Sequence, residues 1–179
     1  QILPALSAPC DLPDLLTGSA GLVLVLGSLA QRRPDLAGPS MRVAAGHVDH
    51  LLAAAWPQSA GIAWPADGEL NTGFAHGSSG IALALHDFAT RTGDAGLARR
   101  SRDAVAGADA WEAALFDTAA GNWPDLRAAN ASLGFSTSWC NGSAGIGLAR
   151  AARILAGDRS PGLRADLDRA LDVTGRDGL

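Results

Sequence analysis

With 179 residues, 47% of them apolar and 18% charged, the chain is long enough to bury a core and too apolar for a disordered one. A net charge of -4 with no basic cluster excludes an electrostatic footprint for nucleic acid, and the longest apolar stretches, such as residues 21–26, fall far short of the ~20 residues that cross a bilayer. No targeting signal is visible at Gln1, and two cysteines as distant as Cys10 and Cys140 do not form a disulfide framework, so the expectation is a soluble protein of a reducing cytoplasmic compartment.

In chain order, the first predicted element is a helix in "GSAGLVLVLGSLAQR" from Gly18, followed by a second, "MRVAAGHVDHLLAAA", for which Ser40 is the candidate cap. "GIAWP" at 61–65 then reads as a return loop with a Trp-Pro packing peg and a short local hairpin. The next helix, "GSSGIALALHDFATR" from Gly77, carries Ile81, Leu85 and Phe88 at helical spacing, and Asp94 can cap the long run that ends at Leu115. "GNWP" at 121–124 repeats the Trp-Pro peg. The last pair is "GSAGIGLARAARILA" from Gly142, with an apparent stripe of Leu148, Ala152 and Leu155, and "GLRADLDRALDV". This final helix is expected to start at Ser160-Pro161 and to bury Leu163, Leu167 and Leu171.

The three Gly-Ser-x-Gly phrases are one repeat, spaced 59 and 65 residues apart, and each opens a helical hairpin. Gly-Ala-rich, nearly uncharged first helices and charged second helices predict an inner and an outer layer. The predicted fold class is therefore all-α, a portion of an α/α toroid. The domain reading is a single incomplete domain over 1–179, with Gly-x-x-Gly turns at 18–21, 77–80 and 142–145. Three hairpins are too few to close such a ring, which implies a longer protein.

Chemistry gathers just ahead of the glycine turns. Asp14 stands four residues before Gly18, His76 directly before Gly77, and Trp139-Cys140 before Gly142. Parallel inner helices would bring this carboxylate, imidazole and thiol to one end of the ring. A helix N-terminus favours a thiolate at Cys140, although a lone cysteine is also a common core residue, His76 could be structural and Asp14 a simple cap. His47 and His50 sit three apart and could face one metal, but the helix around Asp49 reads as a solvated outer surface. His86 and Cys10 have no nameable partners.

The phrases "DLLTGSAG", "GFAHGSSGIALAL", "LFDTAAGNWPDLR" and "SWCNGSAGIGLAR" resemble, in order, motifs of the lanthionine synthetase C-like cyclases. The wording is most similar to the cyclase half of class II lanthipeptide synthetases. The resemblance implies an α/α toroid and a zinc ion bound by Cys140 together with the Cys and His of a later Cys-His-Gly motif. That motif does not occur in the chain, so the remaining ligands are expected beyond residue 179. The resemblance also implies that His76, accompanied by Asp14, exchanges a proton during cyclisation, and that Trp139 and Asn141 line or support the substrate site. The implied reaction is Michael addition of a precursor-peptide cysteine thiol to a dehydroalanine or dehydrobutyrine. The implied partners are the precursor peptide and a dehydratase domain in the same chain, with no nucleic acid and no membrane span. The chain departs from stand-alone cyclases at Ser136, where they often carry Arg, and at Asn141, where they carry an aromatic residue or His. Two other readings stay open. A toroid glycosidase would need two carboxylates, and only Asp14 lies at a glycine turn; a non-catalytic peptide- or thiol-binding module would need no chemistry.

Overall fold

The computed structural model describes residues 3–66, 68–127 and 134–178. Among them the fold is all-α. The helices are α1 Ser19–Arg32, α2 Ala37–Ala54, α3 Ser78–Arg91, α4 Ala95–Ala114, α5 Ser143–Leu155 and α6 Leu163–Asp177. The sheet content consists of two short antiparallel ribbons between α2 and α3: β1 Trp56–Gln58 with β2 Gly61–Ala63, and β3 Pro65–Ala66 with β4 Glu69–Leu70.

Consecutive helices pack as hairpins, α1 on α2, α3 on α4 and α5 on α6, while α1, α3 and α5 line up side by side as one layer. The main core lies between the first two hairpins. Val23 and Leu26 of α1, Val48 and Leu51 of α2, Ile81, Leu85 and Phe88 of α3, and Val105 and Ala108 of α4 are buried there. Fully burying side chains of the larger types contributes about 1.5–3 kcal/mol each. No helix among the described residues is long and apolar enough to cross a membrane.

Both Trp-Pro loops do the same mechanical job. Trp64 is buried and its indole N–H donates to Leu51 O at 2.7 Å, while Trp123 is buried and donates to Glu112 O at 2.9 Å. Each indole thus satisfies a carbonyl in the last turn of an outer helix, where intrahelical partners run out. The predicted local hairpin is the β1–β2 ribbon, and Asp94 caps α4 by accepting from Leu97 N–H at 2.9 Å.

Four local expectations are corrected. Ser40 lies inside α2, which already begins at Ala37, and its buried hydroxyl caps nothing. The final helix begins at Leu163 after Gly162, whose positive φ of 87° turns the chain into the helix; Leu163 and Leu167 are buried but Leu171 is 60% exposed. His47 is not on a solvated surface: it is buried, with Nδ1 at 3.1 Å from Ser19 Oγ and Nε2 at 2.7 Å from Leu6 O, and both ring nitrogens are occupied by this bridge.

The fourth correction concerns α5, whose expected apolar stripe faces outward, with Leu148 and Leu155 exposed. Its buried face instead carries Arg150 and Arg153. Arg150 pairs with Glu112 at 2.9 Å, Asp109 at 3.1 Å and Asp166 at 3.5 Å; Arg153 pairs with Asp109 at 2.7 Å and Asp158 at 2.8 Å. An inner helix therefore meets its neighbours through charge, which is tolerable in a core only because each guanidinium has carboxylates within reach.

Candidate functional site

Each inner helix starts with the same tight entry. Ser19 N–H donates to Leu12 O at 3.0 Å, Ser78 N–H to Asn71 O at 3.1 Å and Ser143 N–H to Ser136 O at 3.1 Å, so in every repeat the preceding seven residues fold back over the helix N-terminus. The two glycines of each turn make room for that return. A Cβ on Gly21, Gly80 or Gly145 would strike the carbonyl oxygen of Leu15, Phe74 or Trp139, and one on Gly18, Gly77 or Gly142 would strike Leu12, Thr72 or Ser136.

These entry loops are stitched to one another. Leu15 and Leu16 N–H both approach Ala75 O, at 3.1 and 3.2 Å, and Ala75 N–H donates to Cys140 O at 3.0 Å. The register makes Leu16, Ala75 and Cys140 equivalent, each two residues before its first glycine. Asn141, one residue after Cys140, is therefore the direct counterpart of His76.

The stitching brings His76 Nδ1 to 2.8 Å from Asp14 Oδ2. Asp14 is buried, and its other oxygen accepts from Thr17 N–H at 2.7 Å and Thr17 Oγ at 3.1 Å. A carboxylate acceptor at Nδ1 selects the tautomer with the proton there and leaves Nε2 free. The His76 side chain is 36% exposed, so the pair has one buried end and one wet end.

Cys140 is half-buried on the neighbouring loop, with Sγ donating to Ser138 Oγ at 3.4 Å; Ser138 Oγ also receives the Ser136 hydroxyl at 2.9 Å. Trp139 is largely exposed, its ring 6.3 Å from that of Phe74. Asn141 is buried, and its backbone carbonyl accepts from Thr72 Oγ at 3.3 Å. A cleft of about 270 Å³ is lined by Asp14, Thr17, Glu69, Asn71, His76, Arg127 and Asn141 among others; Cys140 and Trp139 do not line it. Arg127 pairs with Asp125 at 2.6 Å, and that hydrogen-bonded partner raises its pKa above the ordinary arginine value, with Cys140 and Glu69 adding to the effect.

Cys10 stays away from this centre, its backbone N–H bonded to Ser19 Oγ at 3.2 Å, and His50 has no counterpart with which to share a metal because His47 is committed. His86 does have a partner, Asp158 Oδ2 at 3.3 Å from Nδ1. Sequence reasoning missed Arg127, Glu69 and Asn71 as cleft walls. The signal for Arg127 was present in "GNWPDLR", where a cation follows the second Trp-Pro peg.

A catalytic zinc takes three protein ligands. Cys140 offers one sulfur ligand, its side-chain neighbour is a serine hydroxyl, and among the described residues no three of His, Cys, Asp or Glu stand together as a metal site. These residues do not form a zinc site on their own.

Helical hairpins repeating at Gly-x-x-Gly entries, with a His–Asp pair and a cysteine on adjoining entry loops, form a specific combination. A search of curated proteins gives no significant match. The family described as lanthionine synthetase C-like protein matches residues 2–179, and the chain belongs to that family.

Proposed function

We propose that the chain is the cyclase part of a lanthipeptide synthetase, of the class II type, and that it works on a precursor peptide dehydrated by a partner domain. The reaction is addition of a cysteine thiol to the β-carbon of a dehydroalanine or dehydrobutyrine, forming a thioether. The thiol gives up its S–H proton, a C–S bond forms as the C=C π pair moves onto Cα and the carbonyl as an enolate, and Cα then takes a proton, leaving no net change in protons.

The observation that carries this reading is the 2.8 Å contact between His76 and Asp14, with the His76 loop hydrogen-bonded in turn to the Cys140 loop. Asp14 holds Nδ1, so Nε2 is the atom that delivers or removes the proton at Cα. Arg127, paired with Asp125, is a cation in the cleft wall and would stabilise a developing enolate in a cleft that also presents Asp14 and Glu69. Trp139, exposed beside Phe74, and Asn141 are substrate contacts in this reading. Cys140 is the thiolate this chain would contribute to the family's zinc; the Cys-His-Gly motif expected to complete that set is not in its sequence.

The test is made in the full-length protein with a dehydrated precursor peptide. His76→Asn is expected to keep the wild-type zinc content and slow ring formation, by about 100- to 10,000-fold if general acid–base catalysis is lost. Cys140→Ala is expected to lose both zinc and rings. Retention of peptide binding with no ring formation by the wild type would mark a binding module instead.

A further inference from the structure

Glu112 is absent from the cleft walls, yet its carboxylate reaches the strip of chain that carries His76. The side chain is completely buried near the end of α4. Oε1 accepts from Gly73 N–H at 3.3 Å; Oε2 accepts from Ser79 Oγ at 2.5 Å and from Arg150 Nη2 at 2.9 Å. One carboxylate therefore bonds the loop before α3, the first turn of α3 and the middle of α5.

Gly73 is the point where this matters. Its φ is +92°, and a Cβ there would stand 2.6 Å from Asn141 Cα and 2.7 Å from Cys140 O. The glycine lies against the Cys140–Asn141 backbone, and its N–H is held by Glu112. Two residues later Ala75 N–H bonds to Cys140 O, and the next residue is His76. A buried ion pair of this kind seldom out-stabilises a hydrophobic substitute. What it supplies here is direction, an acceptor aimed at one backbone N–H.

We propose that Glu112, clamped by Arg150, is a positioning residue that sets the separation of His76 and Cys140 through Gly73; its catalytic consequence rests on the cyclase reading above. Two variants of the full-length protein separate reach from charge. Glu112→Asp keeps the charge opposite Arg150 but retracts it by about 1.5 Å, one C–C bond, from Gly73. Glu112→Gln keeps an oxygen for Gly73 and gives up the charge. Amide hydrogen exchange at Gly73 and Ala75 is expected to quicken by about tenfold or more in Glu112→Asp and to stay within about threefold of wild type in Glu112→Gln. Thioether formation is expected to lose about 10- to 100-fold in kcat at unchanged KM in Glu112→Asp, and little in Glu112→Gln. Unchanged Ala75 exchange in Glu112→Asp would overturn the proposal, as would a larger kcat loss in Glu112→Gln, which would make Glu112 only a counter-charge. If the wild type forms no thioethers, the cyclase reading fails, and the exchange rates still decide whether Glu112 positions the strip.

Discussion

Replacing Arg150 by Met is the most informative perturbation of the fold. Arg150 is wholly buried and serves three carboxylates; burial opposes its charge, and Glu112, Asp109 and Asp166 outweigh burial to raise its pKa. Without it Asp109 keeps Arg153 and Asp166 keeps Arg169, but Glu112 loses the one cation paired with it among the described residues. Stranding one buried charge costs about 3–5 kcal/mol. At about 2–4 °C per kcal/mol for a chain of this size, the melting temperature should fall by roughly 6–20 °C. Burial already holds Glu112 above the ordinary glutamate range, opposed by Arg150, and removing Arg150 lifts it further. The unfolded state is common to both proteins, so the deficit of Arg150→Met grows with pH above the already raised Glu112 pKa of the native fold, where only the variant's folded state still holds the proton, and narrows toward acid. Urea denaturation followed by the fluorescence of the buried Trp64 and Trp123 measures this. Adding Glu112→Gln should restore part of the loss. A deficit below about 1 kcal/mol at pH 7, or one that widens on acidification, would refute the account of the buried charges.

Four further outcomes are expected. The 179-residue chain should bind zinc weakly or not at all, because one thiolate does not replace three ligands; tight stoichiometric zinc by metal analysis would contradict this. Burial lowers the pKa of His86, with Asp158 pulling the other way, so the unfolded state takes up a proton first and stability should fall as pH drops below about 6.5; His86→Gln should flatten that limb. Burial pushes Asp158 up, but bonds from Ser160 and Arg153 hold it at about 2, so its contribution should persist above pH ~4 and vanish between about pH 4 and 2, a loss absent in Asp158→Asn. Gly145→Ala, which drives a methyl into the Trp139 carbonyl, should lower the melting temperature and displace the Cys140 loop, read as faster alkylation of Cys140.

The hairpins, their glycine entries and the Trp-Pro pegs were legible because each depends on local chemistry: a missing Cβ, a capping aspartate, an indole beside a helix end. Asp14, His76 and Cys140 were legible because one repeated loop carries all three. What the sequence concealed lies in long-range pairing. Arg150 and Arg153 occupy the buried face of α5 only because Asp109 and Glu112 come from α4, Asp166 from α6 and Asp158 from the intervening loop, and no helical period on α5 itself encodes those partners. The same is true of His47, whose acceptor, Leu6 O, lies 41 residues away. Ser40 misled because a cap residue and a buried helical serine look alike until the preceding turn is seen.

The central claim is that His76, oriented by Asp14, handles the proton at Cα of a forming thioether. Mass spectrometry of a dehydrated precursor peptide incubated in D2O with the full-length protein tests it most directly, by counting rings and the deuterium fixed at Cα. The account predicts full rings and one deuterium per ring for wild type, and a rate lower by about 100-fold or more for His76→Asn at equal zinc content. Equal ring-forming rates in the two proteins would contradict it.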